Sequence, residues 1–271
     1  MNYLGSDIAC FVLYHVARYR RKVVRDNLVQ SFPEKTVQEI KKIEKQFYHN
    51  FCDIIVESIK VRKMTSSELL KRVHVNNPEL LEELAQKGRS VLLAMHHSSN
   101  WEWFWQIQHT VSSHQHFAVY KKLENRFFDR KVFQMRTQNA HGQKVMLEDR
   151  KVKDEMEQLK DSTNAILLLG DQSPRGAATD YWTEFLHRDT CWYIGLEYLA
   201  KKYDYAVVYT EMTRTARGEY SVTFKLICED PKSTEDGFIL KQYVRHVERF
   251  IQQYPDNWLW SHRRWKHARM Q

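Results

Sequence analysis

SVLLAM, residues 90–95, runs directly into HHSSNWEW, residues 96–103. The first six are apolar without alternation and follow a Lys87-Gly88 stop, which predicts a short strand buried on both faces. Ser98, Ser99 and Asn100 are helix-capping types ahead of an aromatic run, so a helix is expected over residues 101–109. A buried strand whose polar end opens a helix is the repeating unit of α/β folds, and such folds place their chemistry at the carboxyl ends of strands.

Further strands are expected over residues 117–120, 144–146, 165–169, 205–213 and 219–228. Helices are expected over residues 7–30, 78–86, 124–139, 151–160, 192–203 and 237–254, with a long one after Thr36. There Thr36 and Glu39 form a capping box, and Phe47, Phe51, Ile54, Ile55 and Ile59 recur at helical spacing. Alternation of strand and helix predicts a single α/β domain with a mainly parallel central sheet flanked by helices. The expected division is an N-terminal membrane-associating helix over residues 1–30 and one globular domain over 31–271.

Among 271 residues, 42% are hydrophobic and 28% charged, enough for a core and against a disordered chain. The net charge of +8 points to anionic partners. Eight Trp, fourteen Tyr and thirteen Phe tilt that choice towards a lipid interface. Residues 8–16 (IACFVLYHV) are apolar but fall short of the ~20 needed to cross a hydrocarbon core. Arg18, Arg20, Arg21, Lys22 and Arg25 follow at once, as on the cytoplasmic flank of an interfacial segment. Four scattered cysteines without a CxxC pair read as thiols.

His97 and Glu102 are the chemical core of the reading. On one continuous helix they would stand ~140° apart. With His97 in the loop and Glu102 in the first turn, the carboxylate is expected to fold back onto the imidazole, fixing its tautomer while the other nitrogen acts as a base. His96 has Trp101 at the equivalent offset, which cannot orient it. His96 and His97 also lack the i, i+4 spacing of a helical zinc pair, so no metal is expected. Arg175, in the loop after LLLGD, is suited to a bidentate phosphate contact. A C-terminal block, WLWSHRRWK over residues 258–266, interleaves Arg263 and Arg264 with tryptophans. That suits an anionic lipid headgroup or single-stranded nucleic acid.

HSSNWE after a strand is similar to the HX4(D/E) motif of lysophospholipid-type acyltransferases. The wider order resembles the bacterial lipid A biosynthesis (late, or secondary) acyltransferase family. RYRRKVVRDNL with Phe32-Pro33, then LGDQSPRG over residues 169–176, then the C-terminal tryptophan block carry that narrower match. The resemblance implies acyl transfer from acyl-carrier protein, or from coenzyme A, to a hydroxyl of a lipid A precursor on the cytoplasmic face of the inner membrane, without a further cofactor. By position, His97 looks like the base and Glu102 its partner, with Asn100, Arg136 and Asp171 at positions the family uses for its site. Arg175, Arg263 and Arg264 are expected to bind substrate. The alternatives are acylation of a lysophospholipid or aminoacyl lipid, or a basic nucleic-acid-binding module; the latter leaves the HSSNWE cluster without a role.

Overall fold

A computed structural model describes residues 3–138, 145–174 and 181–267. The strands are β1 (Val73–Val75), β2 (Val91–Met95), β3 (Gln115–Tyr120), β4 (Met146–Glu148), β5 (Asn164–Leu169), β6 (Tyr181–Phe185), β7 (Arg188–Trp192), β8 (Ala206–Ala216) and β9 (Glu219–Cys228). The helices are α1 (Leu4–Phe11), α2 (Arg21–Ser31), α3 (Val37–Lys60), α4 (Ser66–Leu70), α5 (Glu79–Gln86), α6 (Trp101–Ile107), α7 (Arg126–Thr137), α8 (Val152–Glu157), α9 (Gly195–Tyr203) and α10 (Phe238–Gln253).

Seven strands form one sheet in the order β1-β9-β8-β2-β5-β3-β4. Its pairings are parallel except β8 with β9, so the fold is the α/β architecture that the alternating pattern predicts. β2 lies in the middle with all five residues buried, which is why its sequence is uninterrupted apolar. Two apolar clusters sandwich the sheet. One includes Leu92, Ala94, Ile166 and Leu168, the other Val91, Leu93, Met95 and Leu167, as successive side chains of each strand point to opposite faces. Thr36 caps α3 with the expected capping box to Glu39.

Besides α4, which the sequence pattern did not announce, three elements depart from expectation. Residues 7–30 are not one helix. α1 runs into a π-helical turn at Val12–Val16, and the chain then reverses through Arg18 and Arg20, both with positive φ. Each such residue costs about 1 kcal/mol, and tertiary partners offset it. Tyr48 Oη donates to Tyr19 O at 2.5 Å, Arg20 Nη1 donates to Ser261 O at 2.9 Å, and Arg21 and Arg25 reach the buried Glu44. The second departure is the hairpin β6–β7: Trp192 ends β7, and α9 starts only at Gly195. The third is β1, three residues on the sheet edge. No described helix is long and apolar enough to cross a membrane.

Candidate active site

Met95 and Leu169 are register partners at the ends of the adjacent parallel strands β2 and β5. His97 and Asp171 each stand two residues beyond that pair. Neighbouring strands lie about 4.8 Å apart, so the two side chains emerge side by side. His97 Nδ1 lies 2.6 Å from Asp171 Oδ1, and the His97 backbone N–H donates to Asp171 Oδ2 at 3.1 Å. Trp258 Nε1 donates to that same Oδ2 at 2.8 Å. Burial alone would push the Asp171 carboxyl up. The charge and hydrogen bond of His97, the field of His96 and the Trp258 N–H together hold it well below the usual carboxylate range.

This network assigns the tautomer. An ionised Asp171 only accepts, so in the neutral imidazole Nδ1 carries the proton and Nε2 holds the lone pair. Gln172 Nε2 sits 3.3 Å from His97 Nε2 and donates to it. The imidazole is 18% exposed, so a substrate hydroxyl can replace that amide. His96 is different: it is fully buried between Tyr209 and Phe250, its pKa pushed down to about 4 by burial.

Glu102 does not meet the imidazole, which corrects the expected pairing. Ser99 turns the chain at φ 50°, and Glu102 on the first turn of α6 faces α7 instead. Arg136 Nε donates to Glu102 Oε2 at 3.0 Å, Arg136 Nη2 donates to Oε1, and Trp101 Nε1 donates to Oε1 at 3.1 Å. Burial would raise the Glu102 carboxyl, but Arg136 holds it down. The Glu102–Arg136 pair nevertheless borders the site, because the Trp101 ring lies edge-on to His97 at 5.3 Å.

Asn100 is fully buried and committed at both ends. Its side-chain oxygen caps α6 by accepting from Trp103 N at 3.1 Å, and its amide donates to Glu57 Oε2 at 2.7 Å. The expected substrate contact therefore gives way to a structural one. Glu57 also accepts from Tyr3 Oη at 2.6 Å and Tyr220 Oη at 2.7 Å, and burial raises its pKa.

The C-terminal tryptophan block braces the site. Leu259 N donates to His97 O and Ser99 N to Asn257 O, both at 3.0 Å, and Ser98 bridges to Trp258. Ser173 N donates to His262 Nε2 at 3.1 Å, and Ser173 Oγ donates to the carbonyls of Arg263 and Arg264. Arg264, expected at the substrate, is 2% exposed. It donates to Cys191 O at 2.6 Å and lies over the Trp192 ring, with burial lowering its pKa to about 10. Arg263 is exposed. Arg175 lies outside the described residues. Among the described residues no three His, Cys, Asp or Glu side chains cluster as a metal site.

Sequence reasoning did not single out Gln172 or Trp258 as partners of the His97–Asp171 pair. Their signal was the matched offset of two polar loops beyond two apolar strands. A comparison with curated proteins finds no match. The sequence model of the family described as bacterial lipid A biosynthesis acyltransferase matches residues 1–267 of the chain. That match covers the whole sheet, the His97–Asp171 pair and its C-terminal brace, and the chain belongs to this family of lipid A acyltransferases.

Proposed function

We propose that the protein transfers a fatty acyl group from an acyl-carrier-protein thioester to a hydroxyl of a lipid A precursor, with His97 as the base. The 2.6 Å contact between His97 Nδ1 and Asp171 Oδ1 carries this reading, because it leaves Nε2 as the basic nitrogen. The acceptor hydroxyl gives its proton to Nε2 while its oxygen attacks the thioester carbonyl carbon. The carbon–sulfur bond then breaks, and the departing thiolate takes the proton back from the imidazolium. The products are an ester and a free carrier thiol. Asp171 stabilises the imidazolium between the two steps.

Glu102 is given a different role from the expected one. It holds Arg136 and the Trp101 indole together, and because the Trp101 ring packs edge-on to the imidazole the pair shapes the wall of the site. Arg263, exposed next to the His262–Ser173 clamp, is a candidate contact for a lipid phosphate.

Family membership supports acylation of lipid A. Association with the cytoplasmic face of the inner membrane is part of this proposal. It is supported by the exposed Ile8, Phe11, Val12 and Val16 and the arginines that follow them. The test is acyl transfer in vitro with purified protein, a lipid A precursor, and either carrier-protein or coenzyme A thioester. The expected result is turnover with the carrier-protein donor that His97→Ala abolishes with the fold intact. Turnover retained in His97→Ala would contradict the reading, as would unchanged lipid A in a strain lacking the gene.

A further inference from the structure

α7 is tied to α6 at its carboxyl end and open at its amino-terminal end. Of its twelve residues only Met135 is buried. Phe128, Val132 and Met135 follow each other at four and three residues, so they share one stripe of the helix. Along that stripe burial fades from Met135 through the half-buried Val132 to Phe128, which is 60% exposed. Phe127 beside it is 65% exposed, and Phe133 and Leu123 are exposed as well. The two phenylalanine rings meet edge-on at 5.6 Å, and the Lys131 ammonium lies 5.7 Å from the Phe127 ring.

The charges around these rings are mainly of one sign. Along residues 121–131 Lys121, Arg126, Arg130 and Lys131 are exposed against the single exposed carboxylate Glu124, while Asp129 is engaged by Tyr120 Oη and Leu123 N. Exposed aromatic rings in a mainly cationic stretch suit a surface with an apolar interior and an anionic face. The opposite end of the same helix holds Arg136 against Glu102, whose neighbour Trp101 packs edge-on to His97. Whatever receives the amino-terminal end of α7 is therefore held one short helix from the imidazole.

We propose that the amino-terminal half of α7 is a wedge that inserts Phe127 and Phe128 into an anionic lipid surface and seats the catalytic imidazole over its acceptor. The wedge is separate from the N-terminal segment at α1, and it rests on the acyltransferase reading only for the lipid nature of the acceptor.

The experiment uses the full chain with vesicles of phosphatidylcholine alone or mixed with phosphatidylglycerol. Partitioning is measured by sedimentation, and transfer is measured to acceptor held either in vesicles or in detergent. The double variant Phe127→Ser/Phe128→Ser is expected to lose about tenfold in partitioning to the mixed vesicles. It should lose a similar factor in transfer to vesicle-held acceptor while keeping the detergent rate. Arg126→Gln/Arg130→Gln is expected to lose the preference for phosphatidylglycerol. Both pairs are exposed, so folding is checked by circular dichroism alone.

Unchanged partitioning of the double serine variant would overturn the wedge. So would equal loss of both rates together with weakened carrier-protein binding, which would assign the face to that acidic protein instead. A parent protein that partitions through Phe127 and Phe128 but transfers no acyl group would leave the wedge standing and sink the acyltransferase reading.

Discussion

The indole N–H of Trp258 and the imidazole of His97 share one carboxylate, Trp258 on Asp171 Oδ2 and His97 on Oδ1. The C-terminal segment therefore holds Asp171, the carboxylate set against His97, from 87 residues away along the chain. Trp258→Phe keeps most of the ring and removes the N–H. A hydrogen bond to a charged group contributes about 1.5–3 kcal/mol. We expect a stability loss of that order in urea unfolding, and a roughly tenfold lower turnover number with an unchanged Michaelis constant.

The buried Glu102–Arg136 pair separates structure from chemistry. Breaking it by Glu102→Gln is expected to cost about 3 kcal/mol, because the Arg136 charge is left without its carboxylate. The double variant Glu102→Leu/Arg136→Met removes both charges and should recover most of that stability. Acyl transfer should remain lost. Recovery of transfer along with stability would mean that the pair serves the fold alone.

Glu57 holds three donors, from Tyr3, Asn100 and Tyr220, and through Asn100 it holds the cap of α6. Glu57→Ala leaves these groups buried without their acceptor, at a cost of about 1–3 kcal/mol for each one that water cannot reach. Thermal unfolding measures this directly. Loss of the α6 cap should also lower transfer by misplacing Trp101.

Stability should rise with pH between about 4 and 6.5. Burial pushes His96 down to about 4, and His116 and His262 likewise. In that window the unfolded chain binds protons that the folded chain refuses. The stabilisation is fully present above the unfolded value of ~6.5 and is lost as pH falls towards 4, by at most about 1.4 kcal/mol per unit for each histidine. Urea unfolding at pH 7 and pH 5 should show the slope, and His96→Phe should reduce it by about one proton. An unchanged slope in that variant would remove His96 from the account.

The central strands could be read from sequence because they are continuous apolar runs, SVLLAM and AILLL, buried on both faces. The hairpin β6–β7 could not. YWTEF and RDTCW mix acidic, basic and aromatic residues, and Trp192 looks like the start of a helix until the chain reaches Gly195. The break after Val16 has neither glycine nor proline to announce it; Glu44 and Ser261 hold it in place from far along the chain.

The place of His97 at the end of a buried strand was legible, and with it the expectation of a base there. Its partner was sought by local spacing and arrives by sheet register, 74 residues later. Arg264 was expected at the substrate, because its partners, the Cys191 carbonyl and the Trp192 ring, belong to an element that the pattern did not reveal.

The central claim is that Asp171, through Nδ1, makes Nε2 of His97 the base. Single-turnover acyl transfer by Asp171→Asn, with carrier-protein thioester and lipid A precursor, tests it most directly. The amide can donate where the carboxylate accepts, which favours the wrong tautomer and removes the charge behind the imidazolium. We predict a rate 10²- to 10⁴-fold below that of the unaltered protein, on the order expected for such a loss, with the fold retained. A rate within about threefold of the unaltered protein, well under the tenfold that 1.4 kcal/mol represents, would contradict the account.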